Sequence, residues 1–436
     1  MNLFLFLIQI PVLIFVIRYI RKLHSDPLLI NAYYYLISLK VTAGLLLGII
    51  YFNYYKVGDT NLYLHEFDTL SKIFFYDFKS YVDLIFFREG SLDFKNALYT
   101  FPKPRAYTFI RIVSPFYILS GSNYWILSIY LSLFSFFGLW ILSNTLLKLF
   151  NLNSLAVMIS FFVFPSVVFW SAGVIKESLI IGMMGIMISI ILKFVHQQEK
   201  FSILNFFILS VFAGILLLVK FYYFAVLTAV IVPYGIVVVF SKKVALLRNK
   251  KAYRILFLFS LIAVMTFISS FADPKLGAGI IFETLFLNYD FTLYTSKGLN
   301  TFVFEGLNSD PESFLVHIPK ALLYGLFGPF LWQCKKIISL VNGIENTILL
   351  IAFITFLIEN VKKEKLLKID IKEISLTIYI AVLAIFMAFA SPNWGSLVRY
   401  KIGFLPFFLL LILNNNPFVF QLEKVIRFLK PSKKKS

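Results

Sequence analysis

The stretch FPSVVFWSAGVIKESLI, residues 164–180, breaks an apolar run with Lys176 and Glu177, and a second apolar run, LIIGMMGIMISIILKF (179–194), follows at once. Charges in such surroundings belong either to a short wet turn at a membrane face or to a polar site inside the bilayer. The rest of the chain decides the class. Its 436 residues are 60% hydrophobic and 19% aromatic, with a mean hydropathy of +0.85. A soluble domain cannot hide that much apolar surface. Many apolar runs punctuated by charge predict an all-α polytopic membrane protein.

Charge distribution supplies a topology. The segment SKKVALLRNKKAYR, 241–254, carries six basic residues and no acid; VKKEKLLKIDIKE, 361–373, carries five lysines; and the tail ends KPSKKKS. Basic loops collect on the cytoplasmic side, so these three are placed there, and the net charge of +19 reads as topology and not as a nucleic-acid surface. The first apolar segment has no basic residue before it and RYIRK after it, so it is read as an uncleaved span with its amino end outside. Two loops, 55–122 and 272–339, mix acids and bases and are placed outside. Within them YTFIRIVSPFYILS (107–120) and IPKALLYGLFGPFLW (318–332) read as helices lying at the membrane surface, because a crossing at 107–120 would invert every later basic loop. About eleven spans result: 2–17, 31–54, 123–145, 153–170, 177–194, 203–219, 221–240, 255–271, 340–358, 375–390 and 402–415. The whole chain, 1–436, is treated as one integral membrane domain with a basic cytoplasmic tail, 416–436. On this topology the turn SAGVIKES faces outside with its charges wet or nearly so.

The unusual polar residues then gather on the external side. They are Asp59, Glu66 and Asp68 in GDTNLYLHEFD; Lys176 and Glu177; Lys220 at a tight turn between two spans; Trp332 in GLFGPFLWQ; Glu345 in NGIEN; and Asn393, Arg399 and Lys401 in SPNWGSLVRYKIGFLP. Each has a plain structural role beside any chemical one. Asp59 suits a helix N-cap, Glu66 and Asp68 suit solvated loop charges, Lys176 and Lys220 suit snorkelling, and Arg399, Lys401 and the tryptophans suit interfacial anchoring. Lys40 stands apart, within the second span. Cys334 is the sole cysteine, which excludes an intramolecular disulfide, and His24, His65, His196 and His317 match no metal-ligand spacing.

Acids and bases on one external rim, framed by lipid-facing helices, suit a lipid-linked anionic substrate. Lysine and arginine hold a phosphate or diphosphate, and an acid takes the proton of an attacking hydroxyl. No P-loop, GxGxxG or cytoplasmic domain is present to bind a nucleotide. The expected catalytic residues are Asp59 and Glu66. The expected substrate-binding residues are Lys176, Glu177, Lys220, Trp332, Glu345, Asn393, Arg399 and Lys401. No organic cofactor is expected; a divalent metal is compatible with the scheme but has no predicted ligands.

A span followed by GDTNLY, with Asp59 and Tyr63, and then by surface helices resembles the GT-C class of integral membrane glycosyltransferases. In that class the acid of the first external loop is the acceptor's base, and Asp59 is the matching position. The strings FPSVVFWSAGVIKES, LFGPFLWQ and NWGSLVRYKIGFLP are similar to those of bacterial membrane proteins grouped with polysaccharide polymerases and glycosyltransferases. The chain departs from the GT-C pattern in an extra span before the acidic loop, and in Thr60 and Asn61 where a second acid is common. The resemblance implies sugar transfer from a polyprenyl-phosphate-linked donor at the external face of a bacterial cytoplasmic membrane, in cell-surface glycan assembly. A Wzy-type O-antigen or oligosaccharide repeat-unit polymerase and a lipid-linked glycan flippase or transporter are the alternatives. The implied partners are the lipid-linked sugar and membrane lipids, with no nucleic acid.

Overall fold

A computed structural model of the chain describes residues 3–55, 58–197, 201–272, 280–296, 300–362 and 369–429. No strand occurs among them; an isolated antiparallel bridge joins Thr301 to Asn393. The longer helices are α1 (Leu3–Lys22), α2 (Pro27–Ile50), α3 (Asp59–Tyr76), α4 (Pro104–Leu119), α5 (Tyr124–Leu149), α6 (Lys176–Gln197), α7 (Ile203–Lys243), α8 (Lys251–Ala272), α9 (Ile281–Thr295), α10 (Pro311–Phe327), α11 (Ile337–Lys362), α12 (Ile371–Ala390), α13 (Trp394–Tyr400), α14 (Leu405–Leu413) and α15 (Pro417–Leu429). Among the described residues seven helical stretches are long and apolar enough to cross a membrane, or eight if the bent pair Trp394–Gly403 and Leu405–Leu413 makes one span. The protein is therefore an all-α, multi-pass membrane protein.

The chain forms two compact units. The first is Met1–Leu149, Val168–Phe194 and Glu199–Phe224; the second is Phe150–Val167, Val195–Gln198 and Ala225–Ser436. In the first unit, α2 starts where Asp26 accepts the Leu29 N–H at 3.0 Å and Pro27 occupies the first turn, a start that costs no backbone donor. Glycines then set the helix spacing. A Cβ on Gly44 would fall 2.2 Å from Ser132 Oγ of α5, and one on Gly138 of α5 would fall 2.1 Å from the Gly182 carbonyl oxygen of α6. With lipid outside, helices associate by such close backbone approach and not by hydrophobic exclusion. In the second unit Gly325 of α10 meets the Ala384 backbone of α12 in the same way.

Four expected spans take different forms. The segment 153–170 is not one helix: it is helical to Val163, extended at Phe164 (φ −61°, ψ 123°), and helical again over Pro165–Trp170. Pro165 disfavours helical backbone at the residue before it and offers no N–H to continue the ladder. The segment 402–415 is likewise broken. A 3-10 turn at Lys401–Gly403 meets α14 at a 67° bend, again next to a proline, Pro406. The runs 203–219 and 221–240 have no loop between them; within α7 only Lys220 leaves helical geometry (φ −146°, ψ 66°). The surface-helix segments correspond to α4 and α10, of 16 and 17 residues, both shorter than the roughly 20 that a span needs. Parts of the basic segment 361–373 (363–368), of the loop 272–339 (273–279 and 297–299) and of the tail (430–436) lie outside the described residues.

Candidate functional site

In the first unit, helix starts and cations come together. At the start of α3 the cap position is Gly58, at φ 147°, and no side chain caps the helix. Asp59 is the first helical residue and half-buried, so the capping role open to it from sequence falls to its neighbour's position. Thr60 Oγ1 donates to the Val174 carbonyl at 3.5 Å, and Lys176 Nζ lies 5.6 Å from the centroid of the Tyr63 ring. The start of α3 therefore sits against the start of α6.

The turn before α6 is not wet. Residues 171–175 are buried. Gly173 donates its N–H to Ser132 Oγ at 2.9 Å, Ser135 donates to the Ser171 carbonyl, and Lys40 donates to Ser171 Oγ and to the Val168 carbonyl. The serines of α5 and Lys40 of α2 supply the partners that water would supply in an exposed turn. This corrects the expectation of solvated charges there. Lys40, the apparent exception within a span, is with Ser135 one of the donors that hold this turn.

Glu177 in the first turn of α6 is 2% exposed and lies 3.2 Å from Lys220, which is 8% exposed. The positive end of α6 favours a carboxylate at this place. Lys220 reaches it from the single non-helical residue of α7, and its Nζ is 5.4 and 5.8 Å from the Tyr222 and Tyr223 ring centroids. Arg105, exposed at the start of α4, has Cζ 5.2 Å from the Phe221 ring centroid. Tyr63 and Phe109 pack at 5.0 Å and tie α3 to α4. The start of α6 thus meets the start of α3 and, through Glu177, the kink of α7, while Arg105 at the start of α4 lies against Phe221 beside that kink. Helix starts carry partial positive charge and point N–H groups outward, so the arrangement suits an anion. Arg105 was not anticipated; in PKPRAYTF it looks like any loop cation, and only Pro104 just before it marks a helix start there.

No family model matches the chain, nor does any curated protein or solved structure.

Glu66, expected to be catalytic, is engaged by Thr100. It is fully buried; Thr100 Oγ1 donates to one oxygen at 2.5 Å and the Thr100 N–H to the other at 3.3 Å. Burial pushes its carboxyl above the ordinary carboxylate range. In this arrangement it ties α3 to the segment around residue 100. Asp68 accepts a hydrogen bond from Tyr117 of α4.

The remaining expected residues belong to the second unit. Glu345 of α11 accepts from the Ser166 N–H at 2.8 Å and from Ser166 Oγ at 2.6 Å. It thereby satisfies a backbone donor released by the break at Pro165. Lys401, 1% exposed, donates to the carbonyls of Leu326 (3.1 Å) and Gly328 (2.5 Å) and to Asn346 Oδ1 (3.4 Å). The two carbonyls lie at the carboxyl end of α10, where a cation is favoured. Asn393 is the N-cap of α13, accepting from Gly395 and Ser396, and it donates to Ser296 Oγ. All three, expected from sequence to contact substrate, are hydrogen-bonded within the protein. Trp332 is 80% exposed and stacked on Phe330 at 4.8 Å. Arg399 is half-buried, with Nη2 donating to the Tyr400 hydroxyl at 3.1 Å. Among the described residues no group of three His, Cys, Asp or Glu side chains is placed to hold a metal ion.

Proposed function

We propose that the protein is a membrane glycosyltransferase that moves a sugar from a polyprenyl-phosphate-linked donor to an acceptor hydroxyl. The observation that carries this reading is the cluster of Lys176, Arg105 and the Lys220–Glu177 pair at three helix starts, with Asp59 heading one of them. In this reading the cations and helix starts hold the donor's phosphate. The acceptor hydroxyl attacks the anomeric carbon, the bond from that carbon to the phosphate oxygen breaks, and Asp59 takes the hydroxyl proton. The polyprenyl phosphate leaves with the bonding electron pair, its charge held by the same cations. General-base assistance of this kind contributes roughly 100- to 10,000-fold.

The reading includes a location. The helices stand in the cytoplasmic membrane of a bacterium, with the amino end and the site outside, and with the basic segments 241–254 and 361–373 and the tail inside. Repeat-unit polymerisation is the second reading. Arg105 beside the kink favours it, because that chemistry brings two lipid diphosphates to one site and arginine binds diphosphate through a planar fork.

Deleting the gene and analysing the lipid-linked sugars tests both. Accumulation of donor together with an acceptor lacking one sugar supports the transferase; accumulation of complete single repeat units supports the polymerase. An unchanged lipid-linked pool and unchanged surface glycans would reject both.

A further inference from the structure

Helix α15 leaves an apolar face exposed. It begins four residues after α14 ends, and its start is pinned. Asn416 accepts from the Phe418 N–H at 3.1 Å and donates to the Ala352 carbonyl of α11 at 2.9 Å, and Pro417 leads the first turn. Val419 is buried. At helical spacing Phe418, Leu422 and Val425 share a face next to Val419, yet all three are exposed, at 49, 42 and 52%. A helix that only closed the fold would bury this face. Glu423 and Lys424 lie away from it, and the sequence continues with Arg427, Lys430, Lys433, Lys434 and Lys435, which makes six bases to one acid from Glu423 onward.

We propose that α15 lies in the plane of the bilayer surface and, with the basic residues after it, binds the anionic phospholipid headgroups of that leaflet. The occupant follows from charge and continuity. The apolar face leads directly from the bent membrane segment ending in α14, so lipid is the apolar phase within its reach, and the surplus of positive charge selects an anionic surface. Each basic residue near such a surface contributes about fivefold to the docked state at low salt, and added salt screens it.

The test uses the full-length protein with Cys334→Ser and Leu422→Cys, labelled with an environment-sensitive fluorophore and reconstituted into vesicles. In phosphatidylglycerol-rich vesicles the emission should shift to the blue, and high salt should reverse the shift. Replacing Lys433, Lys434 and Lys435 by Gln should lower the ratio of docked to undocked helix on the order of 100-fold. In phosphatidylcholine alone the probe should stay in a watery environment. An equal blue shift in both lipids would overturn the anionic requirement. A shift in neither lipid would overturn membrane docking altogether, and a shift that appeared only on adding a soluble polyanion would give the face to another partner. Val425→Cys serves as a second probe position should the label at 422 impair insertion.

Discussion

Neutralising Glu177 tests the physical centre of the cluster. At 3.2 Å the pair's attraction is about 5 kcal/mol at an effective dielectric constant of about 20. Desolvation offsets much of this in the intact pair, but Glu177→Gln leaves Lys220 buried without its carboxylate, and breaking one side of such a pair costs about 3–5 kcal/mol. The double variant Glu177→Gln/Lys220→Met removes both charges and keeps the volume, so it should recover most of the loss. Unfolding of the detergent-purified protein, followed by helical circular dichroism against a denaturing surfactant, measures both variants. If Lys220 also holds substrate phosphate, the double variant should fold well and fail to bind a polyprenyl phosphate. A loss below about 1 kcal/mol for the single variant would mean that the pair is solvated and that the buried geometry is wrong.

Glu66 should make stability pH-dependent. Burial raises its carboxyl above the ordinary carboxylate value, so the folded state holds the proton to higher pH than the unfolded state. Its contribution is full below the unfolded value and is lost as pH rises through the folded value. Glu66→Gln should flatten that part of the stability–pH curve, which unfolding curves across the acid range would show. Lys401→Met should cost about 1–3 kcal/mol, because it strands buried carbonyls at the end of α10, while leaving the affinity for lipid-linked sugar unchanged in a binding titration. Gly138→Leu should cost at least about 1–3 kcal/mol, since its Cβ would meet the Gly182 backbone; loss of the monodisperse peak on gel filtration would report it.

Membrane class was legible because it needs no periodicity, only the length and density of apolar runs such as 123–145 and 177–194. The broken helices were half-legible. Pro165 and Pro406 announce the breaks, but an apolar run around a proline reads as one span unless the proline is weighed first. The buried stripe of α3 was also open to reading: Thr60, Tyr63, Phe67 and Leu70 recur at helical spacing and face inward, and Glu66 falls in that stripe. The pairing of Glu177 with Lys220 was not legible, because 43 residues separate the partners and each alone looks like a turn charge. Arg105 was hidden for the same reason. Lys401 and Glu345 bear charges that suggest chemistry, yet each answers to the backbone of a distant broken helix, which composition cannot reveal.

The most direct measurement of the proposed activity compares wild-type and Asp59→Asn protein, purified and reconstituted with a polyprenyl-phosphate-linked sugar and a lipid-linked acceptor. Because Gly58 and not Asp59 occupies the cap position, the Asn variant should unfold within about 1 kcal/mol of wild type and still bind the donor. Its transfer rate should fall by roughly 100-fold or more. Transfer at the wild-type rate by a folded, donor-binding Asp59→Asn protein would contradict the assignment of the base. No transfer and no donor binding by the wild-type protein would contradict the proposal itself.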